Sequence, residues 1–410
     1  MTSPSYIYDH LPLLLLFATG YILYRVIASV GLPEYFSAKA VRFSRGRVDW
    51  LLLSLIFVSA GMSMFIPNAV TVLAMIPVIR KLDGELKSMT TPLTLSIIYG
   101  ANIGGMGSLI GSPANLLLLG ALELFNVEGR EQITFFNWFM WALPVVVLFL
   151  LLAWIVVRMS IPEGSKRIPA KLIGRPERVT IKQKQGILVF GLFILFWVTT
   201  SIIRELSSSY VQIEPAITIA FTAVFIITIF GKLSLGINGT SSEGPLMGLK
   251  SLVEGLPKRG LMYLAVLVVV ISIVMLFRID TYVAGWFGEV VSVLPIVEQG
   301  GYLLYLITAV VVILLTEVLS NTVVSTAFFA VVVHTASLYG VNPMSLMILV
   351  SIASTCAFMT PIATPCNSLA FGEMRKVSLR TMLTLGMVLN ICGAVLLSVW
   401  VWKVIPYIYM

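Results

Sequence analysis

The chain has 410 residues, 58% of them hydrophobic and only 11% charged, with a net charge of +8. Soluble domains carry roughly half apolar and a quarter charged residues, so a soluble enzyme or binding module is excluded, and a single polytopic membrane domain is implied. Two histidines and three cysteines without metal-ligand spacing exclude a zinc-type centre.

The first apolar segment, 11–30, follows Asp9 and His10 with no basic stretch before it, so it reads as a first span rather than a cleaved signal. The next, 51–79, breaks on Pro67-Asn68. It is long for one straight span of about 20 residues yet short for two spans and a loop, which predicts a re-entrant hairpin. The segment 92–120 carries Gly104-Gly105, Gly107 and Gly111-Ser112-Pro113, a density that unwinds a helix, so a broken helix is predicted. With the span 138–157 these elements form a first repeat, 1–160.

A basic stretch at 161–186 reads as a solvated cytoplasmic linker between halves. Spans follow at 187–203, 215–231 and 261–277. A second hairpin, 302–338, breaks at Ser320-Asn321-Thr322, and a second broken helix, 344–371, carries Thr360-Pro361 and Thr364-Pro365. The last span is 383–402, and 187–410 forms the second repeat. Cys356, Cys366 and Cys392 lie in these apolar stretches and read as small packing residues. The predicted fold class is all-α: a polytopic membrane protein of about eight transmembrane helices plus two re-entrant hairpins, arranged as two inverted repeats with broken helices.

Charge tests this layout. The loops 31–49, 80–91, 158–186, 231–260 and 371–382 fall on one side, and with Arg25 they hold 23 of the 27 Lys and Arg. The other side keeps Arg130, Arg204, Arg278 and Lys403. The positive-inside rule makes the rich side cytoplasmic and points both termini outward. The basic excess thus follows from topology, and no nucleic-acid partner is implied.

The two halves repeat one device. Pro67-Asn68-Ala69 with Gly111-Ser112-Pro113-Ala114-Asn115 corresponds to Ser320-Asn321-Thr322 with Ala363-Thr364-Pro365-Cys366-Asn367. The offsets are 253 (68 to 321) and 252 (115 to 367). Interrupted apolar segments at matching places in two halves point to a transporter site near the bilayer midplane. A helix N-terminus at a break offers N–H donors to an anion, and a C-terminus leaves carbonyls for a hard cation such as Na⁺. Glu317, inside the second hairpin, is a candidate for proton coupling or for positioning. Asn102, beside the first broken helix, reads equally as a ligand or a cap. Arg80, Lys81, Asp83 and Glu85 read as a solvated hairpin base and His334 as an interfacial histidine.

On these motifs, together with Asn102-Ile103-Gly104-Gly105-Met106-Gly107, the chain from residue 11 onward resembles the divalent anion:sodium symporter (DASS) family. The resemblance implies sodium-coupled transport of dicarboxylates or sulfate, and a homodimer whose transport domain slides against a scaffold. It implies an anion held by Asn68, Ser112, Pro113, Ser320, Asn321, Thr322, Thr364 and Pro365. It implies one Na⁺ site from Ser63, Asn68 and the backbone of Gly107 to Gly111, and another from Thr316, Asn321 and the Ala363 carbonyl. The first tip departs from the family's Ser-Asn-Thr, since Pro67 and Ala69 lack hydroxyls, which shifts the expectation toward a smaller or asymmetric anion. The family's early scaffold helices are expected to be missing. Rival readings are a cation/proton antiporter or arsenite-type permease of the same superfamily, in which Glu317 dominates, and a non-transporting membrane sensor or binding subunit. No Ser/His pair or carboxylate dyad lies at matched depth, which argues against an intramembrane enzyme.

Overall fold

In a bilayer each backbone N–H and C=O must find its partner within the protein, and the apolar runs meet that demand as helices. The computed structural model describes residues 4–163, 167–168, 179–231, 245–248, 273, 276–278, 282 and 301–409, apart from 87, 208 and 375. Among the described residues the elements are helical and no strand occurs, in agreement with the all-α expectation. The helices are α1 (Pro4–Ser29), α2 (Leu32–Phe43), α3 (Val48–Ser63), α4 (Asn68–Glu85), α5 (Thr90–Gly104), α6 (Pro113–Leu124) and α7 (Phe135–Arg158). After them come α8 (Ile181–Leu206), α9 (Tyr210–Phe230), α10 (Tyr302–Thr316), α11 (Asn321–Tyr339), α12 (Pro343–Ala353), α13 (Pro365–Glu373), α14 (Leu379–Val404) and α15 (Pro406–Tyr409). Among the described residues five helical stretches are long and apolar enough to cross a membrane: Phe135–Arg158, Ile181–Arg204, Gln212–Phe230, Asn321–Tyr339 and Leu379–Tyr409.

All four predicted interruptions are present. Helices α3 and α4 part at 64–67, and α10 and α11 at 317–320. Between α5 and α6 the chain makes a 3₁₀ turn, Gly105–Gly107, and an extended stretch, while α12 and α13 are separated by 354–364. Proline alone does not cause the breaks, since Pro77 and Pro144 sit inside continuous helices. The stretch 31–49, expected as a plain loop, contains α2. Its Leu32, Ala40 and Val41 are buried, and at 12 residues it is too short for a scan tuned to spans. Most of the predicted span 261–277 and half of the linker 161–186 lie outside the described residues.

The chain divides into two compact units. One comprises Met1–Phe36 and Arg175–Pro257, and in it α1 packs on α8 and α9. Its α8 starts with a capping box, Thr180 and Gln183 exchanging hydrogen bonds, and Gln183 Nε2 donates to the Gly31 carbonyl at 3.2 Å. An aromatic ladder joins α8 to α9, with Phe196 stacked on Phe221 at 3.7 Å between centroids and Phe193 tilted on Phe225 at 6.0 Å.

The other unit comprises Ser37–Gly174 and Lys258–Met410 and holds both halves of the repeated device. Here α5 lies directly on α3: a Cβ on Gly104 would run into the Ala60 backbone, so only glycine permits the approach. At the centre Phe358 meets Tyr99 of α5 edge-on at 5.3 Å and Phe149 of α7 edge-on at 5.6 Å. Trp138, fully buried, donates its indole N–H to the Met106 carbonyl at 3.0 Å. Such edge-on pairs and satisfied indoles fix ring positions as well as bury area. The interrupted segments are therefore held against a stiff aromatic core.

Candidate functional site

Each break pairs the C-terminus of one half-helix with the N-terminus of the next. Four helices begin at the interruptions, at Asn68, Pro113, Asn321 and Pro365, and each N-terminus offers N–H groups without intrahelical partners and a partial positive charge. Three of the four are capped by a side chain: Ser112 accepts from the Ala114 N–H, Ser320 from Val323 and Thr364 from Asn367. The fourth cap is Pro67, which offers no acceptor, so the first N–H groups of α4 have no side-chain partner there.

In the first half Ser63 Oγ donates to Asn68 Oδ1 at 2.5 Å, and Asn68 Nδ2 donates to Asn102 Oδ1 at 3.3 Å. Ser108 Oγ donates to the Met64 carbonyl. Asn115, fully buried, donates from Nδ2 to the carbonyls of Gly105 (3.1 Å) and Ser108 (2.7 Å) and so holds the unwound loop in shape. Carbonyl oxygens crowd one spot: a Cβ on Gly111 would lie 2.6 Å from Gly105 O, 3.0 Å from Met64 O and 3.1 Å from Ser63 O. A Cβ on neighbouring Gly105 would lie 3.0 Å from Asn68 Oδ1.

The second half repeats three parts of this wiring. Thr316 Oγ1 lies 2.7 Å from Asn321 Oδ1, as Ser63 pairs with Asn68. Thr360 Oγ1 donates to the Glu317 carbonyl at 2.7 Å, matching Ser108 and Met64. Asn367 Nδ2 donates to the carbonyls of Ala357 (2.8 Å) and Thr360 (2.9 Å), matching Asn115 with Gly105 and Ser108. Thr316 Oγ1 also lies 2.8 Å from the Ser354 carbonyl. A hydroxyl has one proton, and both neighbours are acceptors, so three oxygens converge there with a single hydrogen among them. That is an electron-rich spot suited to a cation.

Besides the tips, the halves differ in charge at one paired position. Where the first has Met64, whose side chain packs on Gly107, the second has Glu317, 4% exposed. Its Oε1 accepts from the Phe358 N–H (2.7 Å), the Met359 N–H (2.8 Å) and Asn390 Nδ2 (2.7 Å), and its Oε2 accepts from the Thr360 N–H (2.9 Å). This buried carboxylate clamps the loop 358–360 to the second tip.

The structure thus joins Ser63 to Asn68 and Thr316 to Asn321, and gathers Gly111, Gly105 and the tip carbonyls. Gly107 faces the Met64 side chain rather than the carbonyl cluster. Pro113 and Pro365 are the exposed first residues of α6 and α13. Ala363 is buried, and Thr322 is half-buried beside Asn321 at the second tip. Among the described residues no hydrogen bond runs from Ser320 or Thr322 to Ser112 or Thr364. Sequence reasoning missed the anchoring by Asn115 and Asn367, although the repeat offset marked both. It also missed Asn390, for which a lone amide in the last span was the only signal. Asn102 accepts from Asn68 Nδ2 and donates from its own Nδ2 to the Ala357 carbonyl and to Asn367 Oδ1. A cavity of about 500 Å³ lies elsewhere, lined by Asp83, Ser88, Thr90, Thr91 and Lys376, and contains none of these residues.

Comparison with known proteins places this wiring in context. The sequence profile of the citrate-transporter family (CitMHS) matches residues 7–297. The chain is 24% identical to the sodium-dependent dicarboxylate transporter SdcS of Staphylococcus saprophyticus over 96% of this chain and 76% of that protein. It is 25% identical to the sodium-dependent high-affinity dicarboxylate transporter 3 of Caenorhabditis elegans, over 88% of this chain and 69% of that one. Among solved structures the fold is similar to the YdaH transporter of Alcanivorax borkumensis, with a TM-score of 0.54, 14% identity, and coverage of 97% of this chain and 85% of that chain.

Proposed function

Because the chain belongs to the citrate-transporter family, and is a multi-pass membrane transporter rather than an enzyme, we propose that it moves a small dicarboxylate across the membrane, driven by Na⁺. The observation that carries this reading is the pair of matched breaks, each setting hydroxyl, amide and carbonyl oxygens beside helix N-termini. The anion binds between Asn68 and Ser112 on one side and Ser320, Asn321, Thr322 and Thr364 on the other, with Pro113 and Pro365 starting the half-helices that face it. Helix N-termini favour carboxylates. Pro67 weakens the first tip less than its lost hydroxyl suggests, because it leaves the N–H groups of α4 without a competing cap. Names of the relatives favour a dicarboxylate over sulfate.

Sodium is a transported ion rather than a resident cofactor. One ion is held by Asn68 Oδ1, Ser63 and the carbonyls around Gly111, the other by Thr316, Asn321 and the Ser354 carbonyl. All are neutral oxygens, the ligands that unwound half-helices in transporters give to Na⁺. Glu317 has its acceptors turned to four protein donors, which favours positioning over proton carriage. The basic loops support a cytoplasmic face at 31–49 and 371–382 with both termini outward, and the two repeats support alternating access by an elevator movement in a homodimer.

The test is uptake of labelled succinate, citrate and sulfate by the purified protein in liposomes. An inward Na⁺ gradient is expected to drive dicarboxylate accumulation that K⁺ does not. Asn321→Ala is expected to weaken the sodium dependence about tenfold or more, since a hydrogen-bonding partner of a charged group is worth about 1.5–3 kcal/mol. Sodium-independent uptake unaffected by that substitution would overturn the reading.

A further inference from the structure

A file of three amides, Asn68, Asn102 and Asn367, runs from the first break to the backbone of the second, and its polarity is dictated from one end. Asn367 turns Nδ2 to the Ala357 and Thr360 carbonyls, which can only accept, so its Oδ1 must face away from them, toward Asn102. Asn102 donates from Nδ2 to that oxygen at 3.1 Å and to the Ala357 carbonyl at 3.0 Å. Its own oxygen is therefore left for Asn68 Nδ2, at 3.3 Å. Asn68, with its nitrogen so engaged, presents oxygen and not nitrogen to Ser63 and the carbonyl cluster of the first break. Asn102 and Asn367 are fully buried, so no water competes for the bond between them, whereas Asn68 is half-buried. Thr360 in turn donates from its N–H and Oγ1 to Glu317, and Thr316, the residue just before Glu317 in the chain, pairs with Asn321.

We propose that Asn102 is a positioning residue that couples the two cation sites: it orients the Asn68 amide from the backbone of the second half, so that filling one break favours filling the other. The inference rests on the sodium-coupled reading above. A cation drawn to Asn68 Oδ1 makes the Asn68 N–H groups better donors, which polarises Asn102 and then Asn367 in the same sense, since head-to-tail hydrogen bonds reinforce one another. Coupling of this kind is reciprocal between sites. The halves also touch through Ser351 Oγ, which donates to Asn115 Oδ1 at 2.9 Å. That bond reaches neither Asn68 nor Asn321 and supplies an internal control.

The experiment is calorimetric titration of the detergent-purified, full-length protein with NaCl in the absence of any anion, so that a shared solute cannot create the cooperativity. The unaltered protein is expected to bind with a Hill coefficient of about 1.4 or more, and Asn102→Ala and Asn102→Ser near 1, through loss of a coupling of about fivefold or more. A serine is too short to reach Asn68 and Asn367 together, and it decides the question if the alanine variant does not assemble. Ser351→Ala is expected to keep the steep titration. Steep binding retained in both Asn102 variants would overturn the coupling role while leaving sodium binding intact, and so would a Hill coefficient near 1 in the unaltered protein. No sodium binding in the unaltered protein would instead overturn the sodium-coupled reading.

Discussion

Replacing Glu317 with alanine is expected to abolish transport and to destabilise the protein by about 4 kcal/mol or more. Three backbone N–H groups and the Asn390 amide converge on this carboxylate, and stranding a buried donor costs about 1–3 kcal/mol each. The stretch 357–360 carries the carbonyls that orient Asn367, so its release undoes the second cation site as well as the packing of Phe358. Glu317→Gln is the finer probe. It keeps one acceptor oxygen and turns an NH₂ group toward N–H donors, so transport is expected to fall about 100-fold while the protein still assembles. The antiporter reading makes a different forecast, in which the glutamine variant is dead and Thr322→Ala nearly normal. Under the positioning role both are impaired, and the pH dependence of residual Glu317→Gln uptake matches that of the unaltered protein. Uptake assays across pH on the two variants separate the cases, and full activity of Glu317→Gln would refute the clamp.

Gly111→Ala is expected to cost about 100-fold in sodium-driven uptake and to lower the melting temperature by a few degrees. Its Cβ would enter a space already bounded by the Gly105, Met64 and Ser63 carbonyls, and overpacking of that kind costs about 1–3 kcal/mol. The methyl group also fills the place where an ion would be ringed by oxygen. Gly120→Ala in the same half meets nothing within 4 Å and serves as the control. Equal sodium dependence in the two variants would remove the carbonyl cluster from the site.

Much of the architecture was legible in the residues. Bilayer physics turns every long apolar run into a helix, so Pro67-Asn68, Ser320-Asn321-Thr322 and the Gly-Ser-Pro and Thr-Pro pairs announced the four interruptions. The offset between copies announced the matched pairs Ser63–Asn68 and Thr316–Asn321. What stayed hidden depends on packing between distant segments. Asn102 sits one turn inside a helix, and nothing local reveals that its amide spans both halves. Glu317 announced itself as an acid at membrane depth, but its four donors come from residues 41 to 73 positions away. The Met64 side chain lies over Gly107, a contact set by how distant segments pack. Helix α2 escaped because its length falls below any span.

The Met64–Glu317 difference gives the molecule a lopsided stiffness. One hinge is held by a thioether resting on glycine, a contact that slides at little cost, whereas the other is riveted by charge to the chain beneath it. Amide protons at 358–360 should accordingly exchange with solvent far more slowly than those at 106–108, although the two stretches descend from the same pattern. Two gates cut from one template would then swing with unequal ease toward the two faces of the membrane.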